Sequence, residues 1–100
     1  MADEPATVRI SDNRARHRYE AHVDGVLAAY ATYELAPGRI VFRHTQTEPA
    51  FEGHGVGSAL AEAALDDVRA RGLLVIPQCP FFASYIARHP EFADLVGHAH

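Results

Sequence analysis

The chain has 100 residues, 48% of them hydrophobic, with nine basic and thirteen acidic side chains and a formal charge of −4. That length holds one domain with one modest core, and a net-negative surface argues against nucleic acid, whose phosphates need a basic face. Every basic side chain is arginine, which excludes a Walker-type phosphate lysine, a Schiff-base lysine or a cofactor-anchoring lysine.

No apolar run approaches the ~20 residues of a bilayer span, so no membrane partner is expected. The single cysteine, Cys79, excludes an internal disulfide and fits a reducing, cytoplasmic compartment. The acidic start MADEPAT is unlike a signal peptide. Residues 1–6 and 97–100 are expected to fray, taking His98 and His100 with them.

In chain order, Val8 and Ile10 alternate with polar neighbours and predict a short strand over 7–11, with a turn at Asp12-Asn13. Arg16 to Val23 alternates next, with His17, Tyr19, Ala21 and Val23 on one face. Asp24-Gly25 is a two-residue hairpin signal. Pairing Val23 with Val26 places Ala21 opposite Ala28 and Tyr19 opposite Tyr30 on a strand running to Leu35. Ala36-Pro37-Gly38 turns the chain into a third long strand, Arg39 to Thr47. Its alternation puts Ile40, Phe42, His44 and Gln46 on one face and Val41, Arg43, Thr45 and Thr47 on the other.

The centre of the chain is Glu48 to Gly72. Glycines at 53, 55 and 57 free the backbone for positive φ and inward-turned N–H groups. A helix follows over Val56 to Arg71, with Val56, Leu60, Ala64 and Val68 on its apolar stripe, an Asp67–Arg71 pair, and Gly72 as its stop. The loop and the helix start form either an anion site or only a tight connection. Leu73 to Ile76 reads as a buried strand, parallel to the previous one because a helix separates them. Pro80 to His89 reads as a helix with Cys79 at its N-cap, stopped by Pro90, and Glu91 to Val96 adds a last turn.

The order is β-β-β-β-α-β-α in one α+β domain. Where the sheet changes from antiparallel to parallel, between its fourth and fifth strands, it should splay and leave backbone groups open to a ligand. Seven histidines lack metal-ligand spacing and have no second cysteine beside them, so no metal is expected. The glycine spacing also fails the dinucleotide-binding pattern.

This order, with the glycine window Glu52-Gly53-His54-Gly55-Val56-Gly57, resembles the GNAT acetyltransferase superfamily. His44-Thr45, Gly53–Leu60 (GHGVGSAL) and Cys79–Ile86 (CPFFASYI) are similar to a subgroup of very small, truncated GNAT-like proteins that bind coenzyme A. The resemblance covers about residues 7–95 and implies a GNAT-like fold, acetyl-CoA as ligand and an amine acceptor, peptide or small molecule. It implies that N–H groups over Glu52, Gly53, His54, Gly55, Val56, Gly57 and Ser58 hold the pyrophosphate. The pantetheine arm would pair along Thr45, Gln46 and Thr47. Glu52 departs from the superfamily's Gln/Arg, and Gln46 stands where the subgroup often has an acid, which leaves no carboxylate base there.

Cys79, at a helix start that favours thiolate, is either an acetyl acceptor or proton donor to the leaving thiol, or a small buried apolar residue. His44 is either a general base or a structural histidine. Glu48 is a weaker base candidate, with capping or solvation its ordinary role. Tyr85 lies near where many GNAT enzymes place a tyrosine acid, and packing against Phe81 is its alternative. His54 either bonds phosphate or is solvated. Three functions follow: an acetyltransferase, a CoA-binding module without catalysis, or a redox-responsive thiol protein. Acceptor identity and oligomeric state are not written in the sequence.

Overall fold

The computed structural model describes residues 7–97. Its strands are β1 (Val8–Asn13), β2 (Arg18–Val23), β3 (Val26–Ala36), β4 (Arg39–Thr47) and β5 (Leu74–Pro77). Helix α1 (Val56–Ala70) joins β4 to β5, and α2 (Pro80–Arg88) follows β5. Short 3-10 turns occupy Arg14–Arg16, Pro49–Phe51 and Pro90–Leu95. The five strands lie side by side in sequence order, antiparallel up to β4 and parallel between β4 and β5. This is the expected α+β arrangement.

Both helices cover one face. Helix α1 crosses β1 to β4 with Leu60, Ala61, Ala64, Leu65 and Val68 wholly buried, its alanines letting it approach the sheet closely. Helix α2 packs on β4 and β5, stacking Phe82 on Phe42 at 4.1 Å and 14°. Pro80 begins α2 where its missing N–H costs nothing, and Gly72 (φ 72°) turns the chain out of α1.

The sheet departs from the expected register at two bulges. Val23 faces Val26 as expected, but Ala28 is an extra residue, so Ala21 faces Ala29 and Tyr19 faces Ala31. The carbonyl of Ala28 instead accepts the Glu48 N–H at 2.7 Å, pinning the end of β4. On β4 the extra residue is Arg43: Phe42 faces Tyr33, while His44 already faces Thr32. Phe42 and His44 therefore lie on opposite faces, which corrects the strict alternation read over Arg39 to Thr47. Ile40 and Phe42 are buried beneath the helices, whereas His44 and Gln46 are exposed on the other face.

Smaller corrections fall at the edges. β1 continues to Asn13, and the turn comes at Arg14–Arg16, where the Asn13 side chain accepts the Arg16 N–H at 3.2 Å. His17 takes a left-handed conformation (φ 53°) instead of opening β2. Gly97 is tied down, donating its N–H to Val75 at 2.8 Å; the other residues expected to fray, 1–6 and 98–100, lie outside the described ones.

Candidate functional site

β5 pairs only with Arg39 to Phe42 of β4, and the last bond on that side runs from the Cys79 N–H to the Phe42 carbonyl at 3.0 Å. Beyond it, Arg43 to Thr47 have β3 on one side and no strand on the other. This is the expected splay. It opens onto the start of α1, whose N-cap is Gly55 (φ 75°) and whose first turn has no side-chain cap. Ala59 is the first residue to bond back, to the Gly55 carbonyl at 3.0 Å. The N–H groups of Val56, Gly57 and Ser58 therefore remain free at the positive end of a 15-residue helix.

These features share one cleft of about 430 Å³. Thr45, Gln46 and Thr47 form one wall, and Glu52, Gly53, Gly55, Val56, Gly57 and Ser58 form another. All of the expected cofactor positions except His54 thus come together. No lining residue is basic, so the cleft offers an anion no cationic side chain, only backbone amides and the neutral donors of Thr45, Gln46, Thr47 and Ser58. Glu52 is exposed. Gly53 (φ 83°) and Gly55 turn the loop, but Gly57 is an ordinary helical residue, which corrects the reading of three positive-φ glycines. Its reason is space: a Cβ there would stand 3.0 Å from the Phe81 ring.

Sequence reasoning missed two walls, Phe51 and Phe81. The signal for Phe81 was Gly57 itself, since a glycine in the first turn of a good helix implies a close neighbour.

The expected chemical groups are dispersed. Cys79 caps α2 through its backbone, is 2% exposed, and lies outside the residues lining the cleft. Its sulfur is 3.0 Å from the Thr45 hydroxyl, so Thr45 stands between the thiol and the cleft. The bulge at Arg43 makes this possible by turning Thr45 to the helix side. His44 is turned outward, its Nε2 3.3 Å from Gln46 Oε1 and its ring 6.4 Å from Tyr30. Tyr85 is one turn beyond Phe81, stacked on His89 at 3.9 Å and absent from the cleft wall. Burial, then the carboxylates of Glu62, Glu91 and Asp66, hold its hydroxyl above the ordinary tyrosine range. Glu48 is half-buried where β4 ends. His54 is exposed and faces a separate recess.

On the outer face, Glu20 is buried between the Arg18 guanidinium at 2.6 Å and the Asn13 amide at 3.0 Å. Burial pushes its carboxyl up, but the two donors and the Arg18 charge outweigh it and leave the group below its ordinary value. Arg18 also covers the Tyr30 ring at 4.5 Å.

Among the described residues no cluster of histidine, cysteine and carboxylate side chains is placed to hold a metal, and no helix is long and apolar enough to cross a membrane.

Comparison with known proteins places this architecture. Residues 18–95 match the family model described as GCN5-related N-acetyl-transferase. Protein NATD1 of Mus musculus is 31% identical over 85 residues, spanning 83% of this chain and 77% of that protein. The Homo sapiens protein of the same name is also 31% identical, over 83% of this chain and 75% of its own length. The Xenopus tropicalis protein is 28% identical, over 88% and 83%. A crystal structure of a Trypanosoma brucei acetyltransferase aligns at a TM-score of 0.44 and 21% identity, covering 87% of this chain and 66% of that one. On the family match, which takes in most of the sheet, the glycine loop and both helices, the chain belongs to the GCN5-related N-acetyl-transferase family.

Proposed function

We propose that the protein moves an acetyl group from acetyl-CoA to an amine. The observation that carries this reading is the meeting of an unpaired strand edge, Arg43 to Thr47, with the uncapped start of α1 in one cleft. The residues present fit the ligand. Free N–H groups at Val56, Gly57 and Ser58 suit a diphosphate, and the β4 edge suits an amide-bearing arm laid alongside it as an added strand. Bound there, acetyl-CoA supplies the acyl group and its thiol is the leaving group.

The chain's own part is positioning and proton transfer. The Thr45 hydroxyl faces the cleft and touches Cys79, so a proton passed to the leaving sulfur moves from Thr45 oxygen as the Cys79 thiol replaces it. His44, exposed on the outer face of the same strand, accepts the proton lost by an amine approaching from that side. Tyr85 enters this reading only as a packing residue of α2.

Calorimetry with CoA and acetyl-CoA tests the binding, and CoA release over a panel of amines tests the transfer. The reading expects heat with both ligands, release with at least one amine, and a lower kcat in Cys79→Ala. No heat with either ligand would overturn it. An unchanged kcat would remove Cys79 from the mechanism. The burial of Cys79 behind Thr45 favours one second reading, a CoA-binding module without catalysis. Binding without release over the whole panel is its signature.

A further inference from the structure

The two outer strands of the sheet end differently. On β5, Val75 pairs with Val96, and its carbonyl accepts the Gly97 N–H at 2.8 Å. Outside β1 no strand follows among the described residues. The Asp24 N–H donates to the Thr7 carbonyl at 3.0 Å, so Thr7 turns its backbone toward β2. The register then runs unbroken from Val8 opposite Val23 to Asn13 opposite Arg18. Alternation therefore points the backbone groups of Val8, Ile10 and Asp12 out of the sheet. Nothing in β1 itself guards this edge, for the strand has no proline, no lysine and no bulge.

We propose that a second copy of this chain covers the edge, the two β1 strands pairing antiparallel across a two-fold axis at Ile10. A two-fold axis perpendicular to the sheet sets residues of the same face opposite each other, so it must pass through a residue. Centred on Arg9, it would set that guanidinium against its own copy. Centred on Ser11, it would put Val8 opposite Arg14, which has already left the strand. Centred on Ile10, it pairs Val8 with Asp12 and Ile10 with itself, and each outward N–H finds a carbonyl.

The side chains agree with that register. On the outer face Arg9 stands opposite Ser11 of the second copy, and no like charges meet. On the helix side Ile10, half-buried against the core, meets Ile10 of the second copy. That side has room for an approaching strand. Val8 is 40% exposed, and a recess of about 320 Å³ beside α1 has Ile10, Ser11 and Asp12 on its wall. Charge is self-complementary as well. Asp3 and Glu4, outside the described residues, precede β1, while the exposed Arg14 and Arg16 follow it. Antiparallel pairing brings the acidic end of each copy to the basic end of the other.

Analytical ultracentrifugation of the full chain tests this. An interface of one strand per copy is small, so wild type should pass from monomer to dimer between about 1 μM and 1 mM. Ser11→Arg sets an arginine against Arg9 of the second copy and should weaken the dimer about tenfold. Adding Arg9→Glu turns that repulsion into attraction and should recover affinity to within about threefold of wild type. Val8→Pro removes an outward N–H from each copy, which should also cost about tenfold. Positions 8, 9 and 11 are exposed, and the proline spares every bond to β2. Far-UV circular dichroism checks each fold, and if one single variant unfolds the other decides.

A monomer at every concentration overturns the proposal and leaves the edge to a strand of some other protein. A dimer as tight in the folded single variants as in wild type also overturns it, because the interface then lies elsewhere. So does a folded double variant that stays as weak as Ser11→Arg, since Arg9 and Ser11 then do not face each other.

Discussion

Gly57 and Thr45 show how single side chains set the cleft. Glycine is a poor helix residue, and alanine at position 57 would favour α1 by up to about 1 kcal/mol. The added Cβ would, however, stand 3.0 Å from the Phe81 ring, which lines the same cleft, and would force that ring to shift. Stability and binding should therefore part company in Gly57→Ala. Its urea midpoint should equal or exceed that of wild type, while CoA affinity falls about tenfold, the effect of roughly 1.4 kcal/mol. Unchanged affinity would show that Phe81 gives way harmlessly. Thr45 acts through contact instead: Thr45→Val keeps the cover over Cys79 and removes the hydrogen bond. In that variant acetyl transfer should drop while CoA binding holds, with Thr45→Ser restoring transfer; equal rates in all three would exclude the hydroxyl.

At the scale of elements, α2 sets both Phe81 and Cys79, and what holds α2 is the stack of Phe82 on Phe42. Phe82 is wholly buried, so Phe82→Ala leaves a cavity between helix and sheet and should cost about 3–5 kcal/mol, measurable by urea denaturation. A cost under about 1 kcal/mol would mean that the end of β5 and the 3-10 turn hold α2 without it. These elements were legible from sequence because each carries a local signal: Asp24-Gly25 for the hairpin, the four-residue stripe and Gly72 for α1, Pro80 for α2. The two bulges carried none. Ala28 and Ala29 are both small and apolar, so either phase of alternation reads equally well there. Arg43 and His44 are both polar, so an extra residue between Phe42 and Thr45 leaves no trace in the pattern. Yet that extra residue decides that Thr45, and not His44, meets Cys79. The sequence thus picked out the strand that walls the cleft and exchanged its faces.

For the whole molecule, the two ends of α1 divide the work. Its N-terminal end is uncapped and faces the cleft, so the helix is fastened at the other end. There Tyr19 donates to Asp67 at 2.6 Å, Tyr33 donates to Asp12 at 2.5 Å, and Arg71 reaches Tyr19 at 3.3 Å and Asp12 at 3.4 Å, joining α1 to three strands. Burial, then the hydrogen bond and charge of Asp12, pushes the Tyr33 hydroxyl from its ordinary 10.0 to about 12. Burial and Asp67 raise Tyr19 further in the same direction. The sign for stability follows. Below pH 10 both states keep these protons and the network contributes in full. Above it the unfolded chain releases phenolic protons that the native state retains, so the unfolded state binds fewer protons and stability declines as pH rises toward 12. With no lysine in the chain, tyrosines are the main groups titrating there, which makes the window unusually clean. Urea midpoints measured across that range should fall in wild type and fall less steeply in Tyr33→Phe and Tyr19→Phe, while tyrosinate absorbance of the native protein lags that of the unfolded one. Parallel slopes in all three proteins would mean that the network does not fasten the helix. The anchoring of α1 would then have to come from its alanine-rich contact with the sheet alone.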